Sequence, residues 1–393
     1  MTTKVPAVTA NIAFPRYSRI GSGAINELPD LIDSLGLHRP LLVTDAYLTG
    51  TGAADRVLSL MRAAGLDAAL FDGTVPDPTT DSLDQGVEAV RAHNADCVIG
   101  FGGGSPMDSA KALAVLASQG GPMRKFKAPG SYNGPALPII AIPTTAGSGS
   151  EATQFTVITD SDNDEKMLCP GLSFLPVAAI IDYGLTMSMP PRLTADTGVD
   201  ALAHAVEAYV SRKANPISDA MSLSAIGLIS ANLRRVYRDG TDRAAREAMM
   251  AAATQAGMAF SNSSVTLVHG MSRPIGAHFH VAHGLSNAML FPAVTAFSVY
   301  GAKSRYAACA RAYGVADATT SDDVASGMMV DALAELCHDL EVPTPKSYGI
   351  DQEAWTSLTP LMAEQALASG SPANNPVVPT LEEIEQIYAR VYN

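Results

Sequence analysis

The pattern of apolar positions divides this chain into two stretches with different periods. Through the first, short apolar runs alternate with segments of helical spacing. Residues 40–44 (PLLVT) form a buried-strand run ending at Asp45, and residues 52–64 follow with apolar positions three and four apart. The same pair of signals returns as a strand over 67–71 and a helix over 82–93. The run 96–101 (DCVIGF) then enters a glycine cluster, and residues 107–118 leave it as a helix. Residues 137–142 are another apolar run, and 155–159 and 177–181 read as further strands of the same unit. This βαβα rhythm predicts a parallel sheet covered by helices.

Beyond Pro190-Pro191 the period changes. Residues 196–210, 218–237, 243–260, 302–313 and 321–340 are alanine-rich and helically periodic, and strand signals almost vanish. The expected organisation is therefore an N-terminal Rossmann-like α/β domain over residues 1–190 and an all-helical domain over 191–393. Residues 371–379 (SPANNPVVP) predict an irregular loop before a last helix. No internal repeat or low-complexity stretch interrupts the chain.

Composition supports this division and narrows the partners. A chain of 393 residues, 47% hydrophobic and 17% charged, has material for two cores. Its net charge of −13 and pI near 5.0 argue against nucleic acid and anionic membrane surfaces. A nucleotide would have to be held by local dipoles and hydrogen bonds. The apolar run 174–181 is too short to span a bilayer. Lys4, Pro6 and Arg16 are scattered where a secretion signal needs a compact apolar segment. Cys97, Cys169, Cys309 and Cys337 form no CxxC pair, so neither a disulfide framework nor a thiolate metal site is indicated. The cytoplasm is the expected compartment.

Two groups of residues carry candidate chemistry. Gly102-Gly103-Gly104-Ser105 lies between a predicted strand and helix, where backbone amides and a helix N-terminus can face phosphates. Asp45, at the end of an earlier strand, can accept from ribose hydroxyls and would repel the 2′-phosphate of NADP. Each also has a structural reading, as turn-forming glycines and as a helix cap. A second polar loop, PTTAGSGSE at 143–151, follows another buried strand and suits the far side of a dinucleotide, with Lys166 available for phosphate charge.

The other group lies in the helical part. Asp200 and His204 are four apart and share a helix face; His269 and His283 lie in a fifteen-residue stretch holding four of the eight histidines. One carboxylate and three imidazoles suit iron(II) or zinc. Nucleotide and metal together point to hydride transfer, with the metal as Lewis acid on an alcohol oxygen.

GGGSPMDSAK at 102–111, PTTAGSGSE at 143–151, DTGVDALAHAVEAY at 196–209 and HGMSRPIGAHFHVAHG at 269–284 resemble the iron-containing (group III) alcohol dehydrogenases. The resemblance implies a dinucleotide-binding α/β domain, a helical domain and a cleft between them. It implies a metal, commonly iron(II), with zinc or another divalent ion in some relatives, on Asp200, His204, His269 and His283. It puts NAD contacts on Asp45, Asp77, Gly103, Gly104, Ser105, Asp108, Thr144, Thr145, Ser148, Thr153 and Lys166. It also implies a homodimer or larger assembly acting on a small alcohol or aldehyde. Two rival readings are a polyol or polyol-phosphate dehydrogenase of the same superfamily and a non-catalytic NAD- and metal-binding protein.

One position departs from the resemblance. Many relatives carry a second histidine four residues after the first, near the nicotinamide and placed to relay a proton; here Arg273 occupies it. Arginine keeps its proton at neutral pH, so a relay would run through water, the cofactor ribose or His280, or be dispensable. Arg273 offers a planar fork either to an acidic substrate group or to Glu207 or the cofactor phosphates. His278 and His280, alternating in HFH, are expected on one side.

Overall fold

The computed structural model describes residues 9–393; the sequence reading of Lys4 and Pro6 falls outside them. The first part runs β1 (Tyr17–Ile20), α1 (Leu28–Ser34), β2 (Pro40–Asp45), α2 (Ala46–Gly50), α3 (Ala53–Ala63), β3 (Ala69–Thr74) and α4 (Thr80–His93). It continues through β4 (Cys97–Gly102), α5 (Gly104–Gln119), β5 (Ile139–Pro143), β6 (Phe155–Asp160), β7 (Glu165–Pro170) and β8 (Ala178–Ile181). Six strands form one sheet in the order β1-β8-β5-β4-β2-β3, every neighbouring pair parallel.

Side chains alternate across these strands and build two cores. Leu42, Ile99 and Ile140 pack with Leu31 of α1 and Leu58 of α3. Leu41, Val98 and Ile139 pack with Leu83 of α4 and Leu113 of α5. Each fully buried aliphatic side chain of this kind contributes about 1.5–3 kcal/mol. The chain steps outward from β2 to β3, then returns to the other side of β2 as β4. That reversal is a topological switch, and ligands of such sheets bind beyond the carboxyl ends of the strands flanking it. Asp45 and Gly102 are those ends.

Residues 155–160 form a strand as expected, though in a separate hairpin. β6 does not join the parallel sheet but pairs antiparallel with β7, a strand that the apolar pattern did not reveal. The hairpin is tied to α5 by a buried cation. Lys111 Nζ donates to Ser150 Oγ at 2.8 Å, Thr153 Oγ1 at 3.0 Å and the carbonyls of Thr153 and Phe155 at 3.1 and 2.8 Å. Asp108 accepts from Ser150 Oγ at 2.8 Å and from the Val157 amide at 2.9 Å. Burial pushes the Lys111 ammonium down to about 8 and the Asp108 carboxyl upward, each tempered by the other's charge.

From Pro191 onward the described residues hold helices and no strand: α6 (Pro191–Val210), α7 (Pro216–Arg238), α8 (Arg243–Ser261), α9 (Leu267–Phe279) and α10 (His283–Ser298). α11 (Lys303–Tyr313), α12 (Asp322–Asp339), α13 (Pro345–Tyr348), α14 (Gln352–Ala368) and α15 (Leu381–Val391) complete the chain. Pro191 opens α6 at a position where its missing N–H costs nothing. Apart from Thr197, every residue of α6 from Thr194 to Val210 is buried, as befits a helix surrounded by others. No helix among the described residues is long and apolar enough to cross a membrane, and the four cysteines are free thiols.

Lys111→Met would strand the acceptors on Ser150, Thr153 and Phe155 beside a buried carboxylate. The expected cost is about 3 kcal/mol, read as a lower urea midpoint. An unchanged midpoint would contradict the role given to this cation.

Candidate metal centre and nucleotide cleft

Helix α6 carries Asp200 and His204 one turn apart, with Glu207 three residues further along. α9 brings His269 and the first residue of α10 brings His283. Donor atoms of Asp200, His204, His269 and His283 all lie within 4.8 Å of one another. Asp200 Oδ1 is 3.9 Å from His204 Nδ1, 3.4 Å from His269 Nε2 and 3.8 Å from His283 Nε2. Ligands about 2.1 Å from a tetrahedral cation stand roughly 3.4 Å apart, so the set has the dimensions of a metal site.

Two further observations fit a cation here. His204 Nδ1 faces the set and is buried without a hydrogen-bond partner, and so is Asn287 Oδ1. Meanwhile Asn287 Nδ2 donates to Asp200 Oδ1 at 2.7 Å and stands 3.1 and 3.2 Å from Nε2 of His269 and His283. The ring of His204 is stacked between Phe260 and His269, with centroids 4.2 and 4.4 Å away. Its rotation is therefore fixed by packing.

The charges are arranged for cation binding. Burial works against an ionised Asp200, but the three imidazoles outweigh it and hold the carboxyl below its usual range. Burial pushes His204 down to about 3 and His283 to about 4, which leaves both neutral with lone pairs to offer. Burial also opposes charge on His269, yet Glu207 and Asp200 flank that ring and raise it to about 9. Glu207 Oε1 accepts from the Thr266 amide at 3.0 Å, the Thr266 hydroxyl at 2.7 Å and the Val268 amide at 2.8 Å. Its Oε2 accepts from His269 Nδ1, which leaves Nε2 aimed at Asp200. Such a carboxylate orients a metal-binding imidazole. The sequence reading named Glu207 only as a partner for Arg273; its place three residues after His204 was the available signal.

At the sheet switch point a cavity of ≈ 590 Å³ is lined by Asp45, Gly103, Gly104, Ser105, Thr144 and Thr145, among others. Gly102, at φ +150°, turns the chain from β4 so that α5 starts at the cavity wall. Asp45 fulfils its structural reading: Oδ1 caps α2 by accepting from the Leu48 amide at 2.9 Å. Ser148 lies beside Gly104. Lys166, only 9% exposed, is not the solvated surface lysine an isolated position suggests; it pairs with Asp77 at 2.8 Å. Its Nζ lies against Gly276 of α9. Asp108 and Thr153 sit in the Lys111 network, with their side-chain oxygens engaged there. His278 lies inside the last turn of α9 and bonds Gln365 at 2.9 Å, whereas His280 is exposed and caps that helix at φ +53°. The expectation that the pair shares one side rests on strand alternation, and here His278 ends a helix while His280 turns off it in left-handed backbone. Arg273 falls one turn beyond His269, and its Nη1 donates to Ser371 Oγ at 3.1 Å.

Glycines let the two regions approach. A Cβ on Gly147 would meet Thr197 Cβ at 2.5 Å, and one on Gly257 would meet the Gly149 carbonyl at 2.5 Å. On Gly284 it would meet the Asp196 carbonyl at 2.5 Å. The loop after β5 thus lies on α6 and α8, and the start of α10 lies on α6, where His283 meets Asp200.

A switch-point cleft for a nucleotide beside a largely buried carboxylate–imidazole set defines the class as nucleotide-linked, metal-using oxidoreductases. Within it, the chain belongs to the iron-containing alcohol dehydrogenase family. The iron-containing alcohol dehydrogenase pattern matches residues 15–183, and the C-terminal pattern of the Fe-containing alcohol dehydrogenase family matches residues 194–392. The chain is 36% identical over 378 residues to the NAD-dependent methanol dehydrogenase of Bacillus methanolicus, covering 96% of this chain and 98% of that protein. It is 36% identical over 371 residues to the lactaldehyde reductase of Escherichia coli strain K12, covering 94% and 96%. The crystal structure of a 1,3-propanediol oxidoreductase superposes with a TM-score of 0.94 at 33% identity, covering 98% of this chain and all 100% of that one.

Gly284→Ala would force the start of α10 away from α6. The expected cost is about 1–3 kcal/mol, seen as a lower urea midpoint. A variant as stable as the parent would show that this close approach is not required.

Proposed function

We propose that this protein oxidises a small primary alcohol with NAD, or reduces the matching aldehyde with NADH, using one divalent cation, iron(II) first among candidates. Asp200, His204, His269 and His283 would hold the cation. The observation carrying this reading is the separation of 3.4–3.9 Å between Asp200 Oδ1 and the three imidazole nitrogens. NAD as cofactor is supported by the name of the methanol dehydrogenase relative. Residues 1–190 would serve as the dinucleotide-binding domain and 191–393 as the metal-holding domain, with the protein acting as a cytoplasmic homodimer or larger assembly.

When bound, the cation would polarise the alcohol oxygen and the nicotinamide would take the hydride from the adjoining carbon. The protein's own groups bind and orient. Asp45, with Oδ1 committed to Leu48, keeps Oδ2 for the ribose hydroxyls and against a 2′-phosphate. The amides of Gly103, Gly104 and Ser105, with the α5 N-terminus behind them, receive the pyrophosphate. Thr144, Thr145 and Ser148 line the approach toward α6, and Asp77 and Lys166, paired next to α9, would meet the cofactor there. Asp108 and Thr153 contribute by fixing this loop through Lys111. Glu207 keeps His269 turned. Arg273 keeps its proton, so water, the ribose hydroxyls or His280 would carry the alcohol proton away.

The test is reconstitution under anaerobic conditions. Metal-stripped protein is given iron(II), zinc or manganese singly, with NAD and primary alcohols, and NADH absorbance is followed. Activity should be absent without metal and return with one divalent ion. His269→Ala should weaken metal binding more than about 100-fold, and Glu207→Gln about 10–100-fold, in a chelator competition. Equal turnover with and without metal would contradict the proposal.

A further inference from the structure

Arg273 holds a charge that the surrounding protein leaves unanswered. It stands on the same face of α9 as His269, one turn on. It lines a cavity of ≈ 370 Å³ with Lys166, Arg124, Lys127, Gln365 and Ser369. The other three cations of that wall are paired: Arg124 with Asp160 and Glu165, Lys127 with Glu165, and Lys166 with Asp77. Among the described residues, no carboxylate lies within 4.0 Å of Arg273. Of the five N–H donors on its guanidinium, the structure shows one engaged, on the buried Ser371 hydroxyl.

Nearby groups do not fill the gap. Glu207 is the acid whose charge reaches Arg273, but four donors already occupy its two oxygens. Burial lowers the guanidinium only to about 10, so it stays charged at neutral pH. Arg273 stands one turn beyond His269 on α9 and Lys166 Nζ lies against Gly276 of the same helix, which places this cavity beside the metal set. The cofactor phosphates have a separate place, since the switch-point cavity along Gly103, Gly104 and Ser105 does not include Arg273. A half-buried, forked cation with no carboxylate partner, next to the reacting end, calls for an anion on the substrate itself.

We propose that the cavity beside the metal set selects short straight-chain alcohols and aldehydes bearing a terminal anion, held on Arg273 while the hydroxyl or carbonyl end faces Asp200, His204, His269 and His283. This rests on the dehydrogenase reading above and names its substrate class. In the forward direction the terminal CH₂OH carbon gives a hydride to NAD and its hydroxyl releases a proton, yielding aldehyde and NADH. The anionic group is unchanged.

The experiment compares 4-hydroxybutyrate with 1-butanol on the metal-loaded enzyme with NAD, adding 3-hydroxypropanesulfonate and 3-hydroxypropylphosphonate to rank the anions. The wild type should favour an anionic alcohol over butanol by about tenfold or more in kcat/KM. Arg273→Gln should shrink that ratio at least about thirtyfold, mainly through the KM of the acid, and Arg273→Lys should recover part of it. An enzyme that prefers butanol over every acid overturns the proposal, whether or not the variants fold. So does a ratio that Arg273→Gln leaves within threefold, or a loss that appears in the KM for NAD and so assigns Arg273 to the cofactor. Turnover of none of these alcohols would instead remove the dehydrogenase reading, and this inference with it.

Discussion

A carboxylate on a helix buried on every side is the constraint from which the rest follows. Removing Asp200 from water costs several kcal/mol unless positive charge or strong donors meet it. The structure surrounds it with three imidazoles and the Asn287 amide, and α6 can hold it there because the helix is enclosed by its neighbours. The same burial that penalises the charge gives the set its use. It keeps His204 and His283 neutral and strengthens electrostatic interactions with a bound cation. Phe260 on one face of His204 and Glu207 behind His269 then fix the rings before any ligand arrives.

The second requirement is that a nucleotide bound on the sheet reach this set. A parallel sheet with a switch between β2 and β4 presents the Gly103–Ser105 turn at one edge of the cleft. The loop after β5 crosses toward the helices, and it closes on them only because Gly147, Gly149 and Gly257 have no side chains to intervene. The β6–β7 hairpin supplies the other bridge: Lys166 leaves Asp77 on the sheet side and reaches Gly276 of α9. Lys111 and Asp108 hold the base of both features to α5. Support for the cofactor and support for the metal are thus parts of one packed arrangement.

Much of this could be read from the chain. The four strands of the sheet centre are short, fully or almost fully buried apolar runs, and such runs have few other places to go. Asp200 and His204 were legible because four-residue spacing on a helix puts two ligands on one face. What escaped had non-local causes. β1 and β7 are partly exposed and lack a continuous apolar run, so their pairing depends on partners far along the chain. Lys111 looks like any helical lysine until residues about forty positions later supply its acceptors. Glu207 is one acid among many until Thr266, Val268 and His269 fold against it. His280 looked central because it is close to His283 in sequence, yet the left-handed turn ending α9 turns it to solvent.

The central claim is that one divalent ion sits between α6, α9 and α10. X-ray absorption at the iron edge, together with anomalous diffraction from anaerobically loaded crystals, addresses it most directly. The account predicts a single ion per chain with three imidazole nitrogens and one carboxylate oxygen at about 2.0–2.2 Å. An ion bound elsewhere, or none at full loading, would contradict it.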